Sequence, residues 1–94
     1  MMMKKTAIIT GGSRGIGYAV AKQLGLDGCQ VAIFSLENPA DCQEAFDKLT
    51  ELGIDWYYIQ GSIDSQEGRE RLVKETVEHF GRIDILVNNA GVAP

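Results

Sequence analysis

The chain has 94 residues, enough for one small domain or part of a larger one, and its 45% hydrophobic and 23% charged content is that of an ordinary globular protein. A formal net charge of −4, with basic residues dispersed beyond Lys4-Lys5, argues against nucleic-acid binding, whose footprint is basic. No apolar run approaches the roughly 20 residues of a membrane span, and Cys29 and Cys42 fit neither a C-x-x-C pair nor a metal-ligand spacing. With no cleavage pattern after Met1-Met2-Met3-Lys4-Lys5, the expectation is a cytoplasmic protein with two reduced cysteines and no bound metal.

In chain order, Thr6 to Thr10 is short, apolar and partly β-branched, and ends at glycines, as a buried strand does. Ile16, Ala19, Val20 and Leu24 recur at helical spacing before Gly28 stops the helix. Val31 to Phe34 is a second strand. Asn38 then offers a cap and Pro39 a first helical residue, with Cys42, Ala45, Phe46, Leu49 and Leu52 as the apolar stripe and Gly53 as the end. Ile54 to Ile59, with three aromatics, reads as a third strand. Asp64 and Glu67 fit a capping box, Leu72, Val73, Val77 and Phe80 give the third helix one buried face, and Gly81 closes it. Ile83 to Val87 is the fourth strand, running into Asn88-Asn89-Ala90-Gly91.

The order is therefore βαβαβαβ over residues 1–94, with no linker, repeat or low-complexity stretch. Strands alternating with helices require crossovers and hence a parallel α/β sheet. Right-handed crossovers place the strands 3-2-1-4, half of a doubly wound, Rossmann-type dinucleotide-binding sheet. A fourth strand left at the edge, with apolar surface beside it uncovered, invites pairing with another chain and leaves a homo-oligomer open.

The first strand runs directly into Thr10-Gly11-Gly12-Ser13-Arg14-Gly15-Ile16-Gly17. Glycine gives up backbone order on folding, so four in eight residues need a reason. At a strand-to-helix turn one glycine lets the chain reverse, another removes a side chain where backbone approaches a pyrophosphate, and the last lets helix lie close on strand. The helix N-terminus then aims free N–H groups at the anion. The spacing here is G-x-x-x-G-x-G.

With N-N-A-G at Asn88 to Gly91, at the end of the fourth strand, this loop resembles the classical short-chain dehydrogenase/reductase family, and the resemblance covers the whole chain. It is nearest the 3-oxoacyl-(acyl-carrier-protein) reductase type. The resemblance implies hydride transfer between a nicotinamide dinucleotide and a small-molecule carbonyl or alcohol. It puts the diphosphate and adenosine ribose against Gly11, Gly12, Ser13, Arg14 and Ile16, and the nicotinamide ribose along Asn89, Ala90 and Gly91. The aspartate that the family often carries after its third strand, facing the adenine amine, is Ser62 here, a hydroxyl with no charge; the backbone at Ile63 is the other candidate adenine contact. Asp64, two residues on, reads as a helix cap.

Selectivity between NAD and NADP is electrostatic. A carboxylate at the end of strand 2 accepts from the ribose hydroxyls of NAD and repels the 2′-phosphate of NADP. That position is Ser35, which is neutral, while Arg14 can meet a phosphate through charge-assisted hydrogen bonds. The expectation is NADP as the preferred cofactor, or NAD, with Glu37 weighing against the phosphate. The family's catalytic serine and Y-x-x-x-K pair lie beyond N-N-A-G, so the catalytic half is expected to be absent from residues 1–94 and the chain alone inactive. Tyr18-Ala19-Val20-Ala21-Lys22 copies that spacing but opens the helix beside the diphosphate, away from the nicotinamide. His79 belongs to the last turn of the third helix, where it meets the helix dipole. Two alternatives stand beside the oxidoreductase reading: a noncatalytic nucleotide-binding or interaction module, and a product without activity.

Overall fold

The computed structural model describes residues 4–89. Strand β1 (Thr6–Thr10) leads into helix α1 (Gly15–Leu26), then β2 (Gln30–Ser35), a 3₁₀ turn (Pro39–Cys42), α2 (Gln43–Glu51), β3 (Trp56–Gln60), α3 (Gln66–Phe80) and β4 (Ile85–Asn88). All strand pairs are parallel and the order is β3-β2-β1-β4, as the alternation of elements requires. Thr10 is aligned with Phe34 on one side and Asn88 on the other, so β1, β2 and β4 end at one level and their loops share one edge.

β1 is buried along its whole length because helices lie on both faces of the sheet, which is why it reads as an unbroken apolar run. Ala7, Ile9, Val31 and Ile33 point towards Ala21 of α1 and Phe46 and Leu49 of α2. Ile8, Ala32, Phe34 and Ile59 point the other way, towards Leu72 of α3. Phe46 stacks on Trp56 with ring centroids 4.5 Å apart and tilts against Tyr58 at 4.9 Å, which pins α2 to β3.

Three local expectations are corrected. Pro39 opens the 3₁₀ turn, not α2: Asn38 does cap it, accepting from the Ala40 N–H at 3.0 Å, and the α-helix begins four residues later. The cap of α3 is Ser65, whose hydroxyl accepts from the Gly68 N–H at 3.1 Å; Asp64 lies one residue outside, its own N–H donating to the Ser62 hydroxyl. The buried stripe of α3 is Gly68, Leu72 and Thr76. Val73 and Val77 are 51% and 44% exposed because α3 packs over β3 and β2, and nothing among the described residues covers the side of the helix that carries the two valines. Leu86, which shares the α3 face of the sheet with its partner Ile8, is 64% exposed for the same reason. On α1, Ile16 and Ala19 are likewise exposed, and the contact with the sheet is made by the small residues Gly17 and Ala21.

The lower end of β1 is tied by a carboxylate. Asp84 accepts from the Thr6 N–H at 2.8 Å and takes two hydrogen bonds from the Arg82 guanidinium at 2.8 and 2.6 Å. Arg82 first, and the Thr6 N–H second, hold the Asp84 carboxyl below its usual range. A carboxyl that ionises more readily folded than unfolded stabilises the fold at neutral pH, and the contribution is lost as pH falls through the lowered folded value. Asp84→Asn is therefore expected to lower Tm at neutral pH and to flatten the acid limb of a Tm profile below about pH 5. A variant profile parallel to the parent's would overturn this.

Candidate functional site

The glycine loop lies where β1 and β4 end side by side. Gly11 turns the chain with φ +66° and Gly15 enters α1 with φ +61°, both left-handed values that favour glycine. Gly17 has a different use. A Cβ there would stand 2.1 Å from the Gly11 carbonyl oxygen and 2.7 Å from the Asn89 side-chain nitrogen, so the first turn of α1 rests directly on the loop. That turn begins with Gly15, Ile16 and Gly17, whose N–H groups precede the first intrahelical bond, from the Tyr18 N–H to the Arg14 carbonyl at 3.2 Å. Ile16 is 77% exposed at the start of this helix.

Asparagine ends β4 and braces the loop. The Asn89 amide donates to the Gly11 carbonyl at 3.2 Å, and its backbone N–H donates to the Thr10 hydroxyl at 2.9 Å. The Thr10 hydroxyl donates in turn to the Asn88 side chain at 3.1 Å. Asn89 thus lies in the expected cleft, with its amide engaged in holding the loop's shape. Ala90 and Gly91 lie outside the described residues.

The second wall is a chain of hydroxyls. Ser13 is buried and its hydroxyl turns inward, 3.0 Å from the Ser35 hydroxyl and donating to the Glu37 carboxylate. Ser35 lies 2.6 Å from the Tyr58 hydroxyl, which also donates to the Glu37 carbonyl at 2.6 Å. Burial of Tyr58 raises its pKa, so it stays a proton donor. Arg14, at the cap of α1, donates through Nε to the same Glu37 carboxylate at 3.1 Å. The loop cation is therefore paired, and its partner is the acid two residues past the end of β2. The acid was visible in the sequence; the Tyr58 clamp that fixes it was not, because only the β2–β3 register brings residues 21 positions apart together.

A cavity of about 240 Å³ opens next to this wall, lined by Gly11, Phe34, Ser35, Leu36, Gly61, Ser62, Ile63 and Asp64. Phe34, Leu36 and Ile63 are its apolar lining, and Ser35, Ser62 and Asp64 its polar lining. Ser62 and Ile63 are thus brought together with Ser35 and Gly11 at one strand-end edge.

The other candidates are elsewhere. The Tyr18 hydroxyl donates to the Ala45 carbonyl at 3.1 Å, tying α1 to α2, and burial raises its pKa. His79 stacks on Tyr57 at 4.2 Å at the far end of α3. Cys42 is buried and its thiol is pushed up, first by burial and then by Glu37, which suits a packing residue. Among the described residues no helix is long and apolar enough to cross a membrane, and no group of metal-ligating side chains is present.

A parallel sheet whose central strand runs through a glycine turn into a helix N-terminus, at the point where the strand order reverses, is a dinucleotide-binding α/β fold. The family is then settled by comparison: the short chain dehydrogenase model matches residues 5–94, and the chain belongs to that family. It is 36% identical over 92 residues to the 3-oxoacyl-[acyl-carrier-protein] reductase FabG of Staphylococcus aureus, covering 98% of this chain and 37% of that protein. It is 41% identical to the short-chain dehydrogenase/reductase FrzI of a Cladobotryum species, covering 98% of this chain and 36% of FrzI. Among solved structures, a putative short-chain dehydrogenase/reductase from Sinorhizobium meliloti 1021 superposes with a TM-score of 0.90 at 32% identity, over 99% of this chain and 42% of the other. The actinorhodin polyketide ketoreductase F189W variant, solved with NADPH, superposes at 0.86 and 31% identity, over 96% and 35%. The chain thus spans little more than a third of the length of the curated relatives it matches.

Proposed function

We propose that this chain is the cofactor-binding part of an NAD(P)H-dependent oxidoreductase that moves hydride between nicotinamide and a carbonyl or alcohol carbon. A 3-oxoacyl thioester is the proposed substrate, in line with the activity that the name of the Staphylococcus relative carries. The observation that carries the reading is the seat of α1 on the glycine loop at Gly17, which leaves unbonded N–H groups at the mouth of the β1–β4 cleft. Gly11, Gly12, Arg14 and the backbone of Ile16 would hold the diphosphate and ribose, with Ser13 setting the loop from beneath. Ser35, Ser62 and Ile63 would meet the adenosine, and Asn89, Ala90 and Gly91 the nicotinamide side. When bound, the nicotinamide supplies the hydride. A cytoplasmic location is part of the same proposal.

Titration of the 94-residue protein with NADH and NADPH, followed by reduced-nicotinamide fluorescence, tests this. Binding of either supports the reading, and binding of neither overturns it. No turnover with a ketone is expected, since the hydroxyls of Tyr18 and Tyr58 are both engaged within the fold; measurable oxidation by the pure chain would overturn that part.

NADP is the proposed preference: Arg14 gives Glu37 only its Nε–H, which leaves the Nη groups for a 2′-phosphate, while Glu37 would face that phosphate as a like charge. Arg14→Glu is expected to weaken NADPH binding about tenfold more than NADH binding, the loss of a hydrogen bond between charged groups. Glu37→Gln is expected to do the reverse, strengthening NADPH about tenfold with NADH changed little. Equal effects on both cofactors would show that the pair lies away from the ribose.

The exposed Leu86 on the β4 edge strand and the exposed Val73 and Val77 on α3 favour a second reading, a noncatalytic module that assembles with a second copy. Sedimentation separates the two: a stable oligomer without cofactor affinity supports the second.

A further inference from the structure

Ser35 ends β2, and with Leu36 and Glu37 it is held from β3 and the residue after it through three successive carbonyls. The Gly61 N–H donates to the Ser35 carbonyl at 2.8 Å, the Gln60 amide to the Leu36 carbonyl at 3.2 Å, and the Tyr58 hydroxyl to the Glu37 carbonyl at 2.6 Å. The two side-chain bonds are unequal. Gln60 is exposed, and its bond competes with water. Tyr58 is partly buried and packs against Phe46 with ring centroids 4.9 Å apart, so its oxygen has a fixed place. Its single proton serves the Glu37 carbonyl at 2.6 Å ahead of the Ser35 carbonyl at 3.3 Å; the Ser35 hydroxyl, also at 2.6 Å, then donates to the tyrosine oxygen.

Glu37 is thereby fixed at both ends. Its backbone is held by Tyr58, and its carboxylate by the Ser13 hydroxyl and the Arg14 Nε–H. A phosphate that approaches the Nη groups of Arg14 meets a carboxylate that cannot retreat while the backbone beneath it is held. We infer that Tyr58 is a positioning residue for cofactor choice: by holding the Glu37 backbone it keeps an acid beside Arg14, and so limits the advantage of a 2′-phosphorylated dinucleotide over its unphosphorylated counterpart. Tyr58 acts through Glu37. The inference rests on the cofactor reading given above.

Tyr58→Phe tests it, since it removes the hydroxyl and keeps the ring against Phe46. NADPH and NADH are each titrated by reduced-nicotinamide fluorescence, and the readout is the ratio of the two affinities. A merely structural loss lowers both affinities alike and leaves that ratio unmoved. The ratio is expected to move towards NADPH by about threefold, because the constraint on Glu37 is worth no more than the one neutral hydrogen bond that imposes it. In a Glu37→Gln background the same substitution leaves the ratio unchanged, since no charge remains to withdraw. Gln60→Ala, which frees only the Leu36 carbonyl, moves the ratio less than Tyr58→Phe does. Amide hydrogen exchange at Glu37, whose N–H donates to the Ser35 hydroxyl at 3.3 Å, is read without cofactor and is expected to be faster in Tyr58→Phe. An unmoved ratio, a shift that persists in the Glu37→Gln background, a larger shift in Gln60→Ala, unchanged exchange, or a Tyr58→Phe chain that does not fold overturns the inference. A parent chain that binds neither dinucleotide overturns the cofactor reading and the inference with it, a result distinct from binding with an unmoved ratio.

Discussion

Gly17→Ala is expected to lower Tm by about 12–24 °C and to abolish dinucleotide binding. The added methyl group would meet the Gly11 carbonyl oxygen at 2.1 Å and its carbon at 2.8 Å, atoms of backbone that cannot swing aside. The third neighbour, the Asn89 side-chain nitrogen at 2.7 Å, is itself bonded to that carbonyl. Relief requires α1 to lift from β1, which opens the core at Ala21 and displaces the first-turn N–H groups proposed to meet the diphosphate. Overpacking of this severity costs about 3 kcal/mol, and a domain of this size loses about 4–8 °C per kcal/mol. Gly15→Ala is the control: its Cβ would meet open space, and only the left-handed φ of +61° is strained, at about 1 kcal/mol. If Gly17→Ala melts no lower than Gly15→Ala, the helix does not rest on the loop.

Phe34→Ala should remove about 3–5 kcal/mol, the usual range for deleting a buried phenyl ring. The ring is 1% exposed, packs with Ile8, Ile59 and Leu72 beneath α3, and forms a wall of the cavity at the strand ends. A domain of this length commonly holds about 5–14 kcal/mol in all, so the variant sits near the edge of folding. A urea midpoint lower by about 2–3 M follows for a slope near 1.5 kcal/mol/M. Dinucleotide affinity should fall with it, because the same ring lines the cavity proposed to take the adenosine. Phe34→Leu keeps most of the volume and should recover most of the stability, at a cost of about 1 kcal/mol. A midpoint unchanged in Phe34→Ala would place the ring outside the core.

Much of the fold was legible because it depends on short-range pattern. The alternation of buried runs and helical stripes yields four parallel strands in the order β3-β2-β1-β4, and Gly28, Gly53 and Gly81 each end a segment with positive φ. Where the reading slipped, the deciding contact was a near neighbour of the expected one. Ser65 displaced Asp64 as the cap because its extended backbone, φ −94° and ψ 130°, brings its hydroxyl to the Gly68 N–H. Val73 and Val77 carried the right residue types for a buried face, but one step of about 100° around the helix separates them from Leu72 and Thr76.

The sequence by itself determined the element order, the glycine turn and the family, since each depends on residue types at fixed spacing along the chain. Tertiary structure alone decided what Ser13, Arg14, Glu37 and Asp64 do. Ser13 turns inward, Arg14 is held by Glu37, and Asp64 is left free at a cavity rim, because these outcomes depend on side chains from different strand ends meeting at one edge. A hydrogen bond acts over about 3 Å, and no spacing along a chain specifies which of several polar groups will come within that reach.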